Sequence, residues 1–350
     1  MPAVITVDIG TTSLRAIVYD ESGRALHVCQ RHNPPEYLDD GRVEQDPHSW
    51  QSQVRAVLRS VGQAVHDQVL QPACIAVTAQ RSSLIAVDAA GAPLQPAMLW
   101  QDTRCAALAQ AMAGHDAEVY RRTGLKISPV FSAIKMAWLR QNRPGVWAAT
   151  HKLLGVQDWV LWGLTGRYVT DHSLASRTNL LNLHTRQWDA DLLTLFGVPP
   201  QLLCDLTPPG TVVAGLSPEV ASHTGLPAGL PVVTAGGDQQ CAALGLGLLA
   251  PQHAVANTGT GSYLIGHAEA PALDPLMRVS CNVSAVPGAY IVEAATLTSG
   301  AAQRWLMELL GLDADDPAAL ALLAHEAAAV PAGSHGLLWL PHFKGAGSPH

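Results

Sequence analysis

The chain predicts an α/β protein made of two related halves that face each other, and three observations carry that prediction. Short apolar runs bounded by turn residues alternate with segments of helical period. The 350 residues are 48% apolar and only 14% charged, which is enough to fill two cores and too apolar for a disordered chain. A Gly-Thr turn between two strand-like runs, Gly10-Thr11-Thr12-Ser13, returns much later as Gly259-Thr260-Gly261-Ser262. Gly and Ser are common in turns, so duplication and chance recurrence both account for the echo.

Residues 3–7 and 14–19 read as strands around the first turn, and Glu21-Ser22-Gly23 turns the chain into a third strand at 25–28. Strands joined this closely must be antiparallel neighbours. Residues 50–69 read as a helix, because Val54, Val57, Leu58, Val61 and Val65 fall on one face. Strands at 73–78 and 84–87 follow, then helices at 104–112 and 129–142, and an apolar segment at 158–164 stopped by Gly166. Residues 230–234 read as a buried strand, ended by Ala235-Gly236-Gly237-Asp238 and followed by a helix at 239–249. Past Pro251 the pattern restarts with strands at 253–257 and 263–266, so the boundary divides 1–247 from 248–350.

Charge and motif content exclude several functions. Lys and Arg number 21 against 28 Asp and Glu, a net −7, and a protein that neutralises many phosphates usually carries a basic field. A nucleic-acid polymer is therefore not the expected partner. The first residues lack a basic segment and an apolar leader, and no run approaches 18 apolar residues, so no membrane partner is expected either. The six cysteines are scattered without a CxxC pair and read as small buried hydrophobes in a reducing compartment. Fifteen histidines form neither HExxH nor a Cys/His cluster. The expected location is the cytoplasm.

Three clusters carry chemistry. In Asp8-Ile9-Gly10-Thr11-Thr12-Ser13 a turn of Gly and hydroxyl residues offers N–H and O–H groups to an anion. The carboxylate at the strand end can hold a magnesium ion through water; a plain hairpin with a satisfied Asp is the alternative. Gly236-Gly237-Asp238-Gln239-Gln240 sets an acid between an apolar strand and a helix, where α/β proteins place ligand crevices. Asp238 could cap the helix or take a proton from an attacking hydroxyl. Gln80-Arg81-Ser82, with Trp100-Gln101-Asp102, combines hydrogen-bonding groups and an aromatic face, which suits a polyhydroxylated ligand.

Together these pieces resemble the FGGY carbohydrate kinases, within the actin-like ATPase superfamily. The resemblance runs from Val4 to the end of the chain. It takes in DIGTTS with Arg15, RVEQDP at 42–47, Gln80-Arg81 and LWQDTR at 99–104. FSAIKMAWL at 131–139, DHSLASRTNLLNLHTRQWD at 171–189, GGDQQ, GTGS, and Ser299-Gly300 with Trp305 extend it. It implies two ribonuclease-H-like domains around a cleft, with ATP and Mg²⁺ as cofactors and a small sugar or polyol as partner; a homodimer is compatible with it. Residues 1–247 would hold the substrate pocket and first phosphate hairpin, and 248–350 the second hairpin. Carried over by position, Asp8 would assist the metal. Thr11, Thr12, Ser13, Arg15, Gly259, Thr260, Gly261 and Gly300 would hold the phosphates. Asp238 would be the general base, and Arg81, Trp100, Asp238, Gln239 and Tyr263 would line the substrate pocket.

The chain also departs from the pattern. Ser82 stands where a glycerol kinase has Glu, Val130 where it has a pocket Tyr, and Tyr263 where it has Phe. A site built to bond hydroxyls discriminates strongly, so these changes argue against glycerol. The Met-His pair usual in xylulose kinases is also absent. Residues 344–350 (KGAGSPH) resemble the family's Gly-Glu-Arg-Ser-Pro segment without its Glu-Arg pair, and the family's later adenosine loop has no counterpart. The second domain is accordingly expected to be incomplete, which is compatible with a loss of kinase activity. A non-catalytic sugar-binding relative, or less readily another actin-like ATPase, is the alternative.

Overall fold

The computed structural model describes every residue except 260, 341–342, 344–346 and 349–350. Buried and exposed side chains alternate along β1 (Pro2–Ile9) and β2 (Ser13–Asp20), the period of a strand with one face on a core. The two pair antiparallel, and β3 (Ala25–His32) extends the meander. Helix α1 (Pro47–Asp67) starts where the Asp46 side chain accepts the His48 N–H at 2.9 Å, with Pro47 in its first turn. It buries Trp50, Val54, Val57, Leu58, Val61 and Val65, the stripe its spacing predicts. The helix stops two residues earlier than expected: Val69 has φ 51° and Leu70 N–H turns back to Val65 O at 2.9 Å, which points the chain into the next strand.

That strand, β4 (Gln71–Ala79), runs parallel to β1. Helix α2 (Ser132–Asn142) begins later than expected, because residues 129–131 form a turn. The fully buried Lys135 ammonium holds that turn, donating to Pro129 O at 2.5 Å and Val130 O at 2.6 Å. Helix α3 (Val156–Thr165) ends on Gly166 at φ 75°, a left-handed cap that glycine adopts without strain. Strands β5 (Val212–Gly215) and β6 (Pro231–Gly237) complete a six-stranded sheet of order β5-β6-β4-β1-β2-β3, in which β6, β4 and β1 are parallel. Helix α4 (Asp238–Gly245) leaves directly from β6.

A second sheet comprises β7 (Ala254–Thr258), β8 (Ser262–Ala268), β9 (Ser280–Val283) and β10 (Tyr290–Thr296), antiparallel throughout in the order β7-β8-β10-β9. Helices α5 (Gly300–Leu309) and α6 (Pro317–Ala329) follow it. Ala175, Leu181 and Leu183 pack with Cys281, Val283 and Tyr290 in one buried cluster, which joins the second sheet to the rest of the molecule. All six cysteines are free. Among the described residues no helix is long and apolar enough to cross a membrane.

Candidate active site

Parallel pairing decides where the chemistry gathers. In the registers Asp8↔Thr78 and Gly237↔Ala79, the three adjacent strands β1, β4 and β6 end together. Their C-terminal edge therefore presents Asp8, then Arg81, then Asp238, at the place where parallel sheets bind ligands. The second sheet closes the opposite side with Tyr263 from β8 and Glu293 from β10.

Between them lies a cavity of about 430 Å³. It is lined by all five residues expected in a substrate pocket, Arg81, Trp100, Asp238, Gln239 and Tyr263, and by Thr11 of the first turn. Ser82 and Val130 line it too. Trp100 is fixed by its indole N–H, which donates to Thr11 Oγ1 at 3.1 Å; Thr11 in turn donates to Gln80 Oε1 at 3.3 Å. Asp102 does not face the cavity. It is fully buried, accepts the Val43 N–H at 2.9 Å and pairs with Arg104.

Asp238 opens α4 as its first residue, with Gly237 as the cap, and its Oδ1 accepts the Gln239 N–H at 2.7 Å. A Cβ at position 237 would come within 2.9 Å of the Arg81 side chain, so glycine is what lets Arg81 lie against this turn. Arg81 Nε is 3.4 Å from Asp238 Oδ1, and its Nη1 is 2.9 Å from Glu293 Oε2. Arg177 Nη1 reaches the other Glu293 oxygen at 3.4 Å, and its guanidinium lies 4.9 Å from the Phe131 ring centre. Burial pushes the Asp238 carboxyl above the usual carboxylate range; Arg81 opposes the rise and Asp8 adds to it. Burial would raise Glu293 as well, but Arg81 and Arg177 outweigh it and hold the group below its ordinary value. Arg177, deeply buried beside Arg81, comes down to about 10.

The first Gly-Thr turn is closed, and the residues flanking Thr260 in the second are placed as well. In the first, Gly10 N–H donates to Ser13 O at 3.0 Å, with Thr12 exposed. Arg15 is not free at its tip: directly across from Asp8, its Nε donates to Asp8 Oδ2 at 2.9 Å. In the second, Gly300 N–H bonds Gly259 O at 2.9 Å, bringing the start of α5 onto the turn. Gly261 runs against β10, where a Cβ would meet Thr296 O at 2.6 Å. Thr260 lies outside the described residues. Among the described residues no cluster of three or more His, Cys, Asp or Glu could cage a metal. Asp8, within electrostatic reach of Asp238, matches instead the sparse donor set of magnesium, which keeps several waters and binds through one or two carboxylates and phosphates.

Residues 3–245 match the N-terminal domain of the FGGY family of carbohydrate kinases. The chain belongs to that family. Over 363 residues it is 36% identical to a glycerol kinase of Gloeobacter violaceus, covering 99% of this chain and 69% of that protein. A glycerol kinase of Alkalilimnicola ehrlichii is 35% identical across 100% of this chain and 71% of its own length. The solved xylulose kinase of Rhodospirillum rubrum superposes with a TM-score of 0.92 at 30% identity, covering 98% of this chain and 70% of that one. This FGGY kinase chain thus spans about 70% of the length of such relatives.

Sequence reasoning gave no role to Glu293, Arg177 or Lys126, all of which line the cavity. Arg177 stands in a quoted motif, but its partner Glu293 is 116 residues away, beyond any local spacing signal. The composite charge of the site exists only after folding.

Proposed function

We propose that this chain carries the acceptor site for ATP-dependent phosphorylation of a sugar or polyol hydroxyl, with Asp238 as general base. The supporting observation is the Asp238 carboxylate, which lines the cavity with its pKa raised by burial and Arg81 at 3.4 Å. An acceptor hydroxyl bound against Trp100 and Gln239 gives its proton to Asp238 as its oxygen attacks the γ-phosphorus. The phosphorus–oxygen bond to ADP breaks as the new bond forms. A base of raised pKa accepts that proton more readily than an ordinary carboxylate, and Arg81 keeps it ionised. The amides and hydroxyls of the two Gly-Thr turns hold the phosphates. Asp8 would hold Mg²⁺ through water, where the ion supplies charge neutralisation for the transferring phosphoryl group.

The test is a coupled ADP-release assay over a panel of sugars and polyols with Mg-ATP. Asp238→Asn is expected to lower kcat by at least roughly 10²-fold, the lower range for a general base, with acceptor binding weakened less. Near wild-type turnover in that variant removes Asp238 from the role.

A further inference from the structure

Behind the acceptor cavity lies a second, more enclosed chamber of about 40 Å³. Ser82 lines both spaces and so forms part of the partition between them. Gln80 just past β4, Ser83, and Asp158 of α3 line the chamber among apolar side chains such as Met136 and Leu203. All three polar side chains are deeply buried: Gln80 and Ser83 are 2% exposed and Asp158 is 6% exposed.

Each of these three side chains keeps one polar atom that the fold does not use. Asp158 Oδ2 accepts the Gly155 N–H at 2.7 Å, but Oδ1 has no hydrogen-bond partner among the described residues. Ser83 Oγ has none either. Gln80 is fixed at its other end: Thr11 Oγ1 accepts the Trp100 indole N–H at 3.1 Å and donates its own proton to Gln80 Oε1 at 3.3 Å. That leaves the amide nitrogen, Nε2, buried and unbonded among the described residues. Buried polar groups are rarely left so, because each then bears the full cost of leaving water. Cavities that stay dry are apolar, whereas a polar space of roughly 10–15 Å³ or more holds a water. A metal cation does not suit the chamber, since the Gln80 amide presents N–H donors that repel it.

We infer that this chamber is an internal water site, whose water bridges Asp158 Oδ1, Ser83 Oγ and Gln80 Nε2 and thereby holds Thr11 and Trp100 in place. The bonds run from the water to Gln80, from Gln80 to Thr11, and from Thr11 to Trp100. Thr11 belongs to the first Gly-Thr turn and Trp100 to the wall of the larger cavity, so the buried water braces both from behind. Gln80, Ser83 and Asp158 are positioning residues in this arrangement, since none of them lines the larger cavity itself. The inference concerns the back of that wall and holds whichever molecule the cavity takes.

The experiment joins a high-resolution crystal structure of the 350-residue chain to ¹⁵N NMR of its indole N–H groups, with the Trp100 signal assigned by its loss in Trp100→Phe. The crystal is expected to show ordered water within hydrogen-bond distance of Ser83 Oγ, Asp158 Oδ1 and Gln80 Nε2. Ser83→Ala removes one of the three partners. It should shift the Trp100 signal and speed its exchange with D₂O about fivefold, the change that one ordinary hydrogen bond makes in a local opening equilibrium. The exposed Trp305 of α5 should be unmoved. Asp158→Asn sets an amide N–H in place of Oδ1, still bonds the water, and should leave Trp100 as in the wild type. A dry chamber, density with the coordination of an ion, or a Trp100 signal that Ser83→Ala leaves unchanged overturns the inference. The wild-type crystal decides it alone where a variant does not fold.

Discussion

Glu293 illustrates how one side chain ties the molecule's halves to its chemistry. It comes from the second sheet, is 4% exposed, and receives Arg81 from just past β4 and Arg177 from the turn at 176–179. A buried carboxylate is tolerated here because two guanidiniums neutralise it, and removing one member of such a network strands the others in low dielectric. Glu293→Gln is expected to destabilise the fold by about 3–5 kcal/mol, the range for breaking a buried pair, read as a lower urea midpoint at unchanged slope. A loss under about 0.5 kcal/mol, the scatter of surface changes, would mean that water already screens the network. The residues on either side of it differed in legibility. Arg81 and Asp238 follow a strand and a Gly-Gly turn, so their sequence neighbourhood marks them. Glu293 sits in an apolar run with no marker beside it, and its burial follows only from β10 being paired on both sides, with β8 and β9.

At the scale of elements, the meander of β1 to β3 and the helix α1 were legible because alternation and one-face spacing are local. Element ends were less so, because tertiary bonds set them: the start of α2 follows from the Lys135 ammonium and the end of α1 from the Leu70 turn-back. Helix α3 starts before its expected apolar run, since Gly155 caps it and Asp158 Oδ2 reaches back to the Gly155 N–H at 2.7 Å. Burial pushes the Asp158 carboxyl up to about 7. Between the ordinary carboxylate range and that value the folded chain keeps a proton that the unfolded chain has released. The native state then binds more protons, so stability falls as pH rises through this window and the full loss is present above it. Asp158→Asn keeps an oxygen for the Gly155 amide and abolishes the titration. Its Tm relative to wild type is expected to rise between pH 5 and pH 8. A difference that stays constant, or moves the other way, in thermal melts at the two values would place the titration elsewhere.

For the whole molecule, the expectation of two facing halves has a physical counterpart in the cavity, where Thr11 from one Gly-Thr hairpin and Tyr263 from the other line the same space. Away from that cavity the second half carries a different kind of surface. Trp305 of α5 stacks on Trp339 at 5.9 Å and meets Phe343 at 4.8 Å, forming an aromatic cluster that is itself exposed. Leu337, Leu338 and Leu340 are 76%, 91% and 74% exposed, and Leu309 at the end of α5 and Leu310 just past it are exposed in the same half. Contiguous apolar patches beyond a few hundred Å² are uncommon on soluble monomers, and each Å² removed from water contributes about 25 cal/mol. The molecule is therefore expected to self-associate through this face with rising concentration. Sedimentation velocity from low to high micromolar protein measures it. The mean sedimentation coefficient should climb, and Leu338→Glu combined with Leu340→Glu should restore the monomer without lowering the Tm, since both side chains are already in water. A wild-type chain that stays monomeric over the whole range would show that the aromatic cluster shields the face well enough by itself.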